Sequence, residues 1–157
     1  MLVEQMVLPF NQVRPIYMVA DLFERIFGAS AEETERMGFL EVDLHRFING
    51  DQITIGRDDE KTCFLKPLSN CSEVWELRSR DPKPSIRIFG RFAGKDAFIA
   101  TNLEFRKLMG GLRSRAFAVE RRICVTTWNR LFPYLEPHTG NSVHDYVSNA
   151  IDLHAIP

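Results

Sequence analysis

The sequence has little that would direct the chain to a membrane or out of the cell. Its apolar runs are all shorter than the roughly 18 to 20 residues that a membrane-spanning helix needs. The start of the chain carries Glu4 where a secretory signal peptide has basic residues followed by an apolar core. We therefore expect a cytoplasmic protein without a membrane partner.

Motifs of common active sites are also scarce. The three cysteines, Cys63, Cys71 and Cys124, are an odd number and form neither a Cys-x-x-Cys pair nor a Cys/His cluster at metal-ligand spacing. We interpret them as reduced thiols, and we expect no metal site and no cofactor. A P-loop, a Gly-x-Ser-x-Gly elbow and a His-Glu-x-x-His motif are absent, which argues against the commonest hydrolase classes.

The chain does have enough apolar residues to form one core. It contains 157 residues, of which 45% are apolar, and chains of roughly 100–200 residues usually form a single domain. No repeat, low-complexity tract or long linker interrupts the sequence. We expect one domain over residues 1–157.

Charge is distributed unevenly along this domain. Residues 1–72 hold 7 Lys and Arg against 12 Asp and Glu, residues 73–134 hold 13 against 6, and residues 135–157 hold none against 3. A basic central part between two acidic parts indicates an anionic partner, because a local positive field attracts polyanions even when the net charge is -1. The alternative is that the acidic first part folds against the basic part.

Periodicity predicts four helices and a first strand. The first two helices are separated by a Gly28 cap, and the second begins with a Ser30/Glu33 capping box. The predicted helices cover residues 15–28, 30–50, 114–133 and 143–153, and the strand covers residues 1–8. Short runs at 52–55 and 62–65 indicate an extra hairpin or an extended connection.

Three segments in the basic part have strand character, at residues 73–80, 85–92 and 97–105. Their connectors are short and turn-competent, which predicts consecutive antiparallel pairing. Alternation along the strands separates an apolar face from a face that carries Arg78, Arg80 and Arg87. We expect the third helix to cover the apolar face and the arginine face to be exposed.

These strands carry the most specific motifs of the sequence. Val74-Trp75-Glu76-Leu77-Arg78 is followed by Ile86-Arg87-Ile88-Phe89 and by a strand that runs into Phe105-Arg106-Lys107. This succession, with Phe64-Leu65-Lys66-Pro67-Leu68 before it, resembles the HigB-like, phage-related branch of the RelE/ParE superfamily of bacterial toxins. The resemblance covers roughly residues 64–130. It implies an α+β, RelE-like fold with two N-terminal helices and a C-terminal helix packed on an antiparallel sheet.

The resemblance also implies a toxin that is partnered by an antitoxin protein and acts as a ribonuclease on mRNA, with RNA or the ribosome as its target. Cleavage by the ribose 2′-hydroxyl needs a proton acceptor, a proton donor and cations that stabilise the phosphorane. We assign Arg78 and Arg87 to stabilising that charge, because the arginine fork matches phosphate oxygens. Phosphate binding is assigned to the other cations on or beside the strands, which are Arg80, Arg91, Lys95, Arg106 and Lys107.

Proton carriers are the missing part of this assignment. The histidines and tyrosines all lie outside the three strands. Tyr134, or else His138, is the candidate catalytic acid or base, provided that the C-terminal turn brings it beside the sheet. Glu76 is interpreted as the residue that orients Arg78 or Arg87. Two other functions stay open: a non-catalytic member that binds a protein such as a gyrase-type target or the antitoxin, and a degenerate prophage protein with a structural role.

Overall fold

A computed structural model describes residues 13–57, 62–68, 73–111 and 113–154, together with the backbone of residues 2–4. The strands are β1 (Leu2–Glu4), β2 (Ile16–Val19), β3 (Ile53–Ile55), β4 (Leu65–Pro67), β5 (Trp75–Ser79), β6 (Ile86–Gly94), β7 (Ala97–Phe105) and β8 (Ala150–Asp152). The helices are α1 (Ala20–Phe27), α2 (Thr34–Ile48), α3 (Arg106–Met109) and α4 (Arg115–Leu131), with a 3-10 turn at Val143–Asp145.

The strands form one sheet in the order β1-β2-β7-β6-β5-β4-β3-β8. β5, β6 and β7 pair antiparallel in succession, which confirms the predicted hairpins. However, β2 pairs parallel with β7, and β3 pairs parallel with both β4 and β8. The predicted RelE-like fold on an antiparallel sheet is therefore wrong: the sheet is mixed and has eight strands.

Two errors of assignment explain the difference. Residues 16–19 were predicted as the first turn of a helix but form β2, from which the chain enters α1 at Ala20 without a loop. The predicted closing helix at 143–153 is a short 3-10 turn followed by β8. Both strands pair with partners far away in the sequence. Local periodicity therefore does not predict them.

Several elements agree with the sequence. Helices α1, α2 and α4 lie within the predicted ranges, and β1 lies within the predicted first strand, whose remaining residues are outside the described part of the chain. The prediction of a Ser30/Glu33 capping box is wrong. Helix α2 begins at Thr34, and the side chain of its N-cap residue, Glu33, makes no capping hydrogen bond. Where a helix cap does form, at α4, the Ser114 hydroxyl accepts a hydrogen bond from the Phe117 N–H.

Helices cover both faces of the sheet. Helices α1 and α2 pack Leu22 and Leu40 against Trp75 and Ile88 on the apolar face, which forms the main core. Helix α4 packs on the opposite, arginine-bearing face, where Phe117 belongs to a smaller cluster with Val74, Phe89, Met109 and Cys124. The predictions that α4 covers the apolar face and that the arginine face is exposed are both wrong.

In the described ranges, no helix combines the length and apolar character that crossing a membrane requires.

Candidate functional site

Arg78 and Arg87 lie directly opposite each other on β5 and β6 and are buried, with 9% and 4% of their surface exposed. Between them lies the carboxylate of Glu76, whose Oε1 is 3.3 Å from Arg78 Nε and 3.8 Å from Arg87 Nε. Glu76 is thus within ion-pair distance of both arginines, as the interpretation that it orients them requires. Burial is the main cause that lowers the pKa of Arg87 to about 10, and the nearby charge of Arg78 adds to it.

This arrangement fits a structural role better than contact with a phosphate. Arg87 Nη1 donates to the carbonyl of Ile86 at 3.1 Å, and Arg78 Nη1 donates to Cys63 Sγ at 3.1 Å. A phosphate would have to displace these contacts within a buried layer. The catalytic assignment of Arg78 and Arg87 therefore stays a prediction. The two side chains have the geometry of a buried ion-pair network.

The remaining predicted residues do not form one site. Arg91 is buried with its guanidinium 5.8 Å from the Trp128 ring, and burial lowers its pKa. Arg80 is half-buried and donates to the carbonyl of Thr62 at 3.3 Å. Tyr134, in contrast, is 99% exposed just beyond α4. These three side chains are thus dispersed around the sheet.

The predicted cations on loops and on α3 are the accessible ones. Lys95 is exposed in the turn before β7, while Arg106 and Lys107 follow the other end of that strand. Lys107 is exposed with its ammonium 5.8 Å from the Phe105 ring, and Arg106 donates to the carbonyl of Gly110. Arg106 and Lys107 are thus adjacent at the start of a larger basic surface, and Arg106 is also close enough for its charge to lower the pKa of Arg87.

That surface continues from α3 onto α4 and is called the α3–α4 basic surface. Between residues 106 and 130 the sequence has seven Lys and Arg and one acidic residue, Glu120. Besides Arg130, which is exposed near the end of α4, the exposed or half-buried cations of this segment form the surface and are Arg106, Lys107, Arg113, Arg115, Arg121 and Arg122. Sequence reasoning did not assign the last four, although the charge distribution of residues 73–134 already pointed to them.

A second feature, the Glu73–Tyr146 cleft, lies where the C-terminal segment meets the sheet. The cleft has a volume of about 320 Å³ and is lined by Arg57, Leu68 and Val74 as well as by Glu73 and Tyr146. The Tyr146 hydroxyl donates to Glu73 Oε2 at 2.5 Å and accepts from the Gly140 N–H at 2.8 Å. The Glu73 carboxylate and the Tyr146 phenol are thus linked by a hydrogen bond along which a proton can pass.

The surroundings of this pair are unusual. Glu73 has a φ of 64°, a conformation that residues other than glycine rarely adopt and that is often found at functional sites. Burial raises the pKa of Tyr146, and its hydrogen bond to Glu73 adds to the shift. The ring centroids of His138 and Tyr146 are 5.3 Å apart. The backbone N–H of His138 donates to the carbonyl of Phe92 on β6.

The C-terminal turn therefore brings His138, and not Tyr134, beside the sheet. Sequence reasoning missed Glu73 and Tyr146 because it searched the strands for proton carriers. A local signal was present in Ser142 and Asp145, whose capping box closes the turn before Tyr146. The Asp145 carboxylate accepts from the N–H groups of Ser142 and Asn141, which lower its pKa.

Among the described residues, no group of three or more His, Cys, Asp or Glu side chains is arranged to hold a metal ion. Comparison of the chain with protein-family models, with curated proteins and with solved structures found no match.

Proposed function

We propose that this protein is a toxin-type RNA-binding protein that holds the RNA backbone on the α3–α4 basic surface. The observation that carries the proposal is the concentration of accessible arginine and lysine on α3 and α4, with one acidic residue in the whole segment. The toxin class rests on the motif resemblance over residues 64–130, a range that contains β5 to β7 and most of α4.

Phosphate recognition follows from the side chains of this surface. Guanidinium groups form paired hydrogen bonds with phosphate oxygens, and an exposed row of them neutralises a backbone without reading its sequence. Leu108 and Val119 are exposed on the same two helices, 60% and 43% respectively, and offer apolar contact to unstacked bases. The acidic first and last parts of the chain repel RNA, so the field directs it to this surface.

A second candidate function, RNA cleavage, is favoured by the Glu73–Tyr146 hydrogen bond. Two lining residues of the cleft, Leu68 and Val74, belong to the apolar cluster that also contains Met109 and Phe117 of the two helices. In this second candidate function, the RNA strand runs from the α3–α4 basic surface to the carboxylate of Glu73.

The reaction needs only groups that the cleft contains. The ribose 2′-hydroxyl attacks the adjacent phosphorus and loses its proton to Glu73, while Tyr146 gives a proton to the leaving 5′-oxygen. A 2′,3′-cyclic phosphate forms, and the proton then passes from Glu73 to Tyr146 through their hydrogen bond, which restores both groups. Arg57, half exposed and 3.9 Å from Asp152 Oδ2, supplies positive charge at the rim.

The binding proposal is tested with a paired charge-removal experiment. Arg115→Gln with Arg122→Gln removes two cations from the basic surface, and Arg46→Gln with Lys83→Gln removes two exposed cations elsewhere. Fluorescence anisotropy with a labelled single-stranded RNA should give, for the first pair only, weaker binding and a plot of log affinity against log salt whose slope is shallower by about 1.4. No RNA binding at low salt, or equal losses in both pairs, would refute the proposal.

Cleavage is measured separately on the same RNA. Glu73→Gln and Tyr146→Phe should abolish formation of the 2′,3′-cyclic phosphate and relieve growth arrest on expression, while RNA affinity stays unchanged. A 2′-deoxy substitution at the cut site should block the wild-type reaction. If both variants cleave like the wild type, Glu73 and Tyr146 do not transfer the proton.

A further inference from the structure

One edge of β7 is only partly covered by its neighbouring strand. β2 pairs with residues 98–100 of β7, and the chain then leaves the sheet at Ala20 to form α1. On this side, no described strand pairs with the remaining part of β7, from Thr101 to Phe105. An open strand edge is a template on which another extended chain can pair.

Side chains occupy two hydrogen-bonding groups of this edge in place of a strand. Arg25 Nη1 donates to the carbonyl of Leu103 at 2.6 Å, and the Phe105 N–H donates to Glu104 Oε1 at 2.7 Å. Arg25 Nη2 and Glu104 Oε1 are 3.8 Å apart, so the two capping side chains also form an ion pair. Both caps are partly exposed and can be displaced, because ion pairs of this kind contribute little stability.

The edge forms the floor of a groove between α1 and α4. Leu22 of α1 and Ile123 of α4 line opposite sides of a cavity of about 330 Å³ above residues 101–104. A second cavity of about 300 Å³ shares Thr101 and Ile123 with the first and extends to Leu131 near the end of α4. The two together form an elongated groove, with Leu22, Ile123 and Leu131 as apolar lining residues, which suits an extended segment.

Acidic side chains surround the first cavity. Asp21, Glu104 and Glu120 line it, with Arg25 as the cation among its lining residues. Burial raises the pKa of Glu120, and the hydrogen bond from Asn102 opposes this shift. A cation that enters the groove would pair with these carboxylates. The first cavity thus has a charge opposite to that of the α3–α4 basic surface, while the second cavity has Asp21 and Arg130 among its lining residues.

We propose that the groove between α1 and α4 binds an extended, lysine- or arginine-bearing segment of a protein partner, which adds as a strand to the open edge of β7. The segment replaces the Arg25 and Glu104 caps with backbone hydrogen bonds and places alternate apolar side chains against Leu22 and Ile123. This interaction surface goes beyond the proposed RNA binding, because its first cavity is acidic and its lining includes none of the six cations of the α3–α4 basic surface.

The test uses a capped heptapeptide of alternating Lys and Val as the probe. In NMR titrations of the isotope-labelled full chain at millimolar peptide, the amide signals of Leu103 and Phe105 should shift. The same peptide with alternate backbone nitrogens methylated, and a Glu/Val peptide, should bind at least about tenfold more weakly. Equal shifts from the methylated peptide would overturn strand addition, and no shifts from the Lys/Val peptide would overturn the proposed chemistry.

A matched pair of variants locates the site. Ile123→Arg places a cation in the groove and should abolish the shifts, whereas Val119→Arg, one turn earlier on α4 and outside the groove lining, should leave them intact. Thermal unfolding verifies that both variants fold. Shifts of the same amides by oligouridine would make the groove an RNA site. Concentration-dependent shifts without peptide would make it an interface between two copies. Either result would overturn the proposal.

Discussion

Glu76 forms ion pairs with both arginines, Arg78 and Arg87, of the arginine-bearing sheet face. Its side chain is 3% exposed and serves both Arg78 and Arg87. Two opposed cations on neighbouring strands repel each other, and they are tolerated in a buried layer only when an anion is held between them. The Glu76 carboxylate thus bridges β5 and β6 at this point of their ladder.

Replacing this carboxylate should therefore be costly. We expect Glu76→Gln, which keeps the shape but removes the charge, to lower the free energy of unfolding by about 3 to 5 kcal/mol. Urea denaturation measures the change. Glu41→Gln removes a carboxylate that pairs with His45 on the surface of α2, and it should change the free energy by less than about 0.5 kcal/mol. Equal effects in the two variants would contradict the bridging role.

At the scale of elements, α4 connects the fold to the proposed function. Its inner side packs Phe117, Cys124 and Trp128 on the sheet, and its outer side carries the basic surface. The helix begins at a polar cap formed by Ser114, which accepts from the Phe117 N–H at 3.0 Å. The cap fixes the first turn, where Arg115 is positioned.

Loss of the cap should loosen this turn. We expect Ser114→Ala to lower the free energy of unfolding by about 1 kcal/mol and to weaken RNA binding, whereas Ser114→Thr should retain both. Circular dichroism during urea unfolding and RNA anisotropy are the two measurements. Ser30→Ala, at the capping box that does not form, should be neutral. A loss at Ser30 that equals the loss at Ser114 would mean that α2 is capped after all.

The elements that could be predicted are those with local causes. Short connectors and alternating side chains determine β5 to β7, and apolar periodicity determines α2 and α4. The sequence could not tell which sheet face α4 covers, because Phe89 and Ile88 supply apolar contacts on opposite faces. Helix α4 packs on the face that carries Arg78 and Arg87 and buries both side chains. The prediction that they are exposed is therefore wrong for the same reason as the prediction for α4.

The candidate site was predictable only in part for a related reason. Arg106 and Lys107 were found because they directly follow a motif strand. Glu73 and Tyr146 lie far apart in the sequence and meet because the segment 138–146 docks on β6 and on the β6–β7 turn, through backbone hydrogen bonds of His138 and Asp96. Contacts of this kind depend on tertiary packing, and no spacing rule within one segment predicts them.

At the scale of the whole molecule, the sheet joins distant parts of the chain. β2 pairs with β7 and β3 pairs with β8, so the acidic first part, the basic part and the C-terminal part share one set of strands. Trp75 faces the main core, and Trp128 lies in the layer under α4. The two tryptophans therefore report on opposite faces of the same sheet.

This connectivity predicts one cooperative unfolding transition. In the single-tryptophan variants Trp75→Phe and Trp128→Phe, the fluorescence and circular dichroism curves should have the same urea midpoint within each variant. The reason is that the helices on both faces pack on the same sheet, so both lose their packing when the strands of that sheet unfold. Different midpoints for fluorescence and circular dichroism would contradict a single domain over residues 1–157.

The pairing of β3 with β8 also has a consequence during protein synthesis. β3 is made early, but the strand that covers its outer edge is residues 150–152. At a ribosomal rate of about 5–20 residues per second, the nascent chain carries this uncovered edge for several seconds. β3 stays the edge strand of the sheet until residues 150–152 are translated and pair with it, so a messenger truncated before that point yields a chain whose β3 edge is exposed and aggregation-prone.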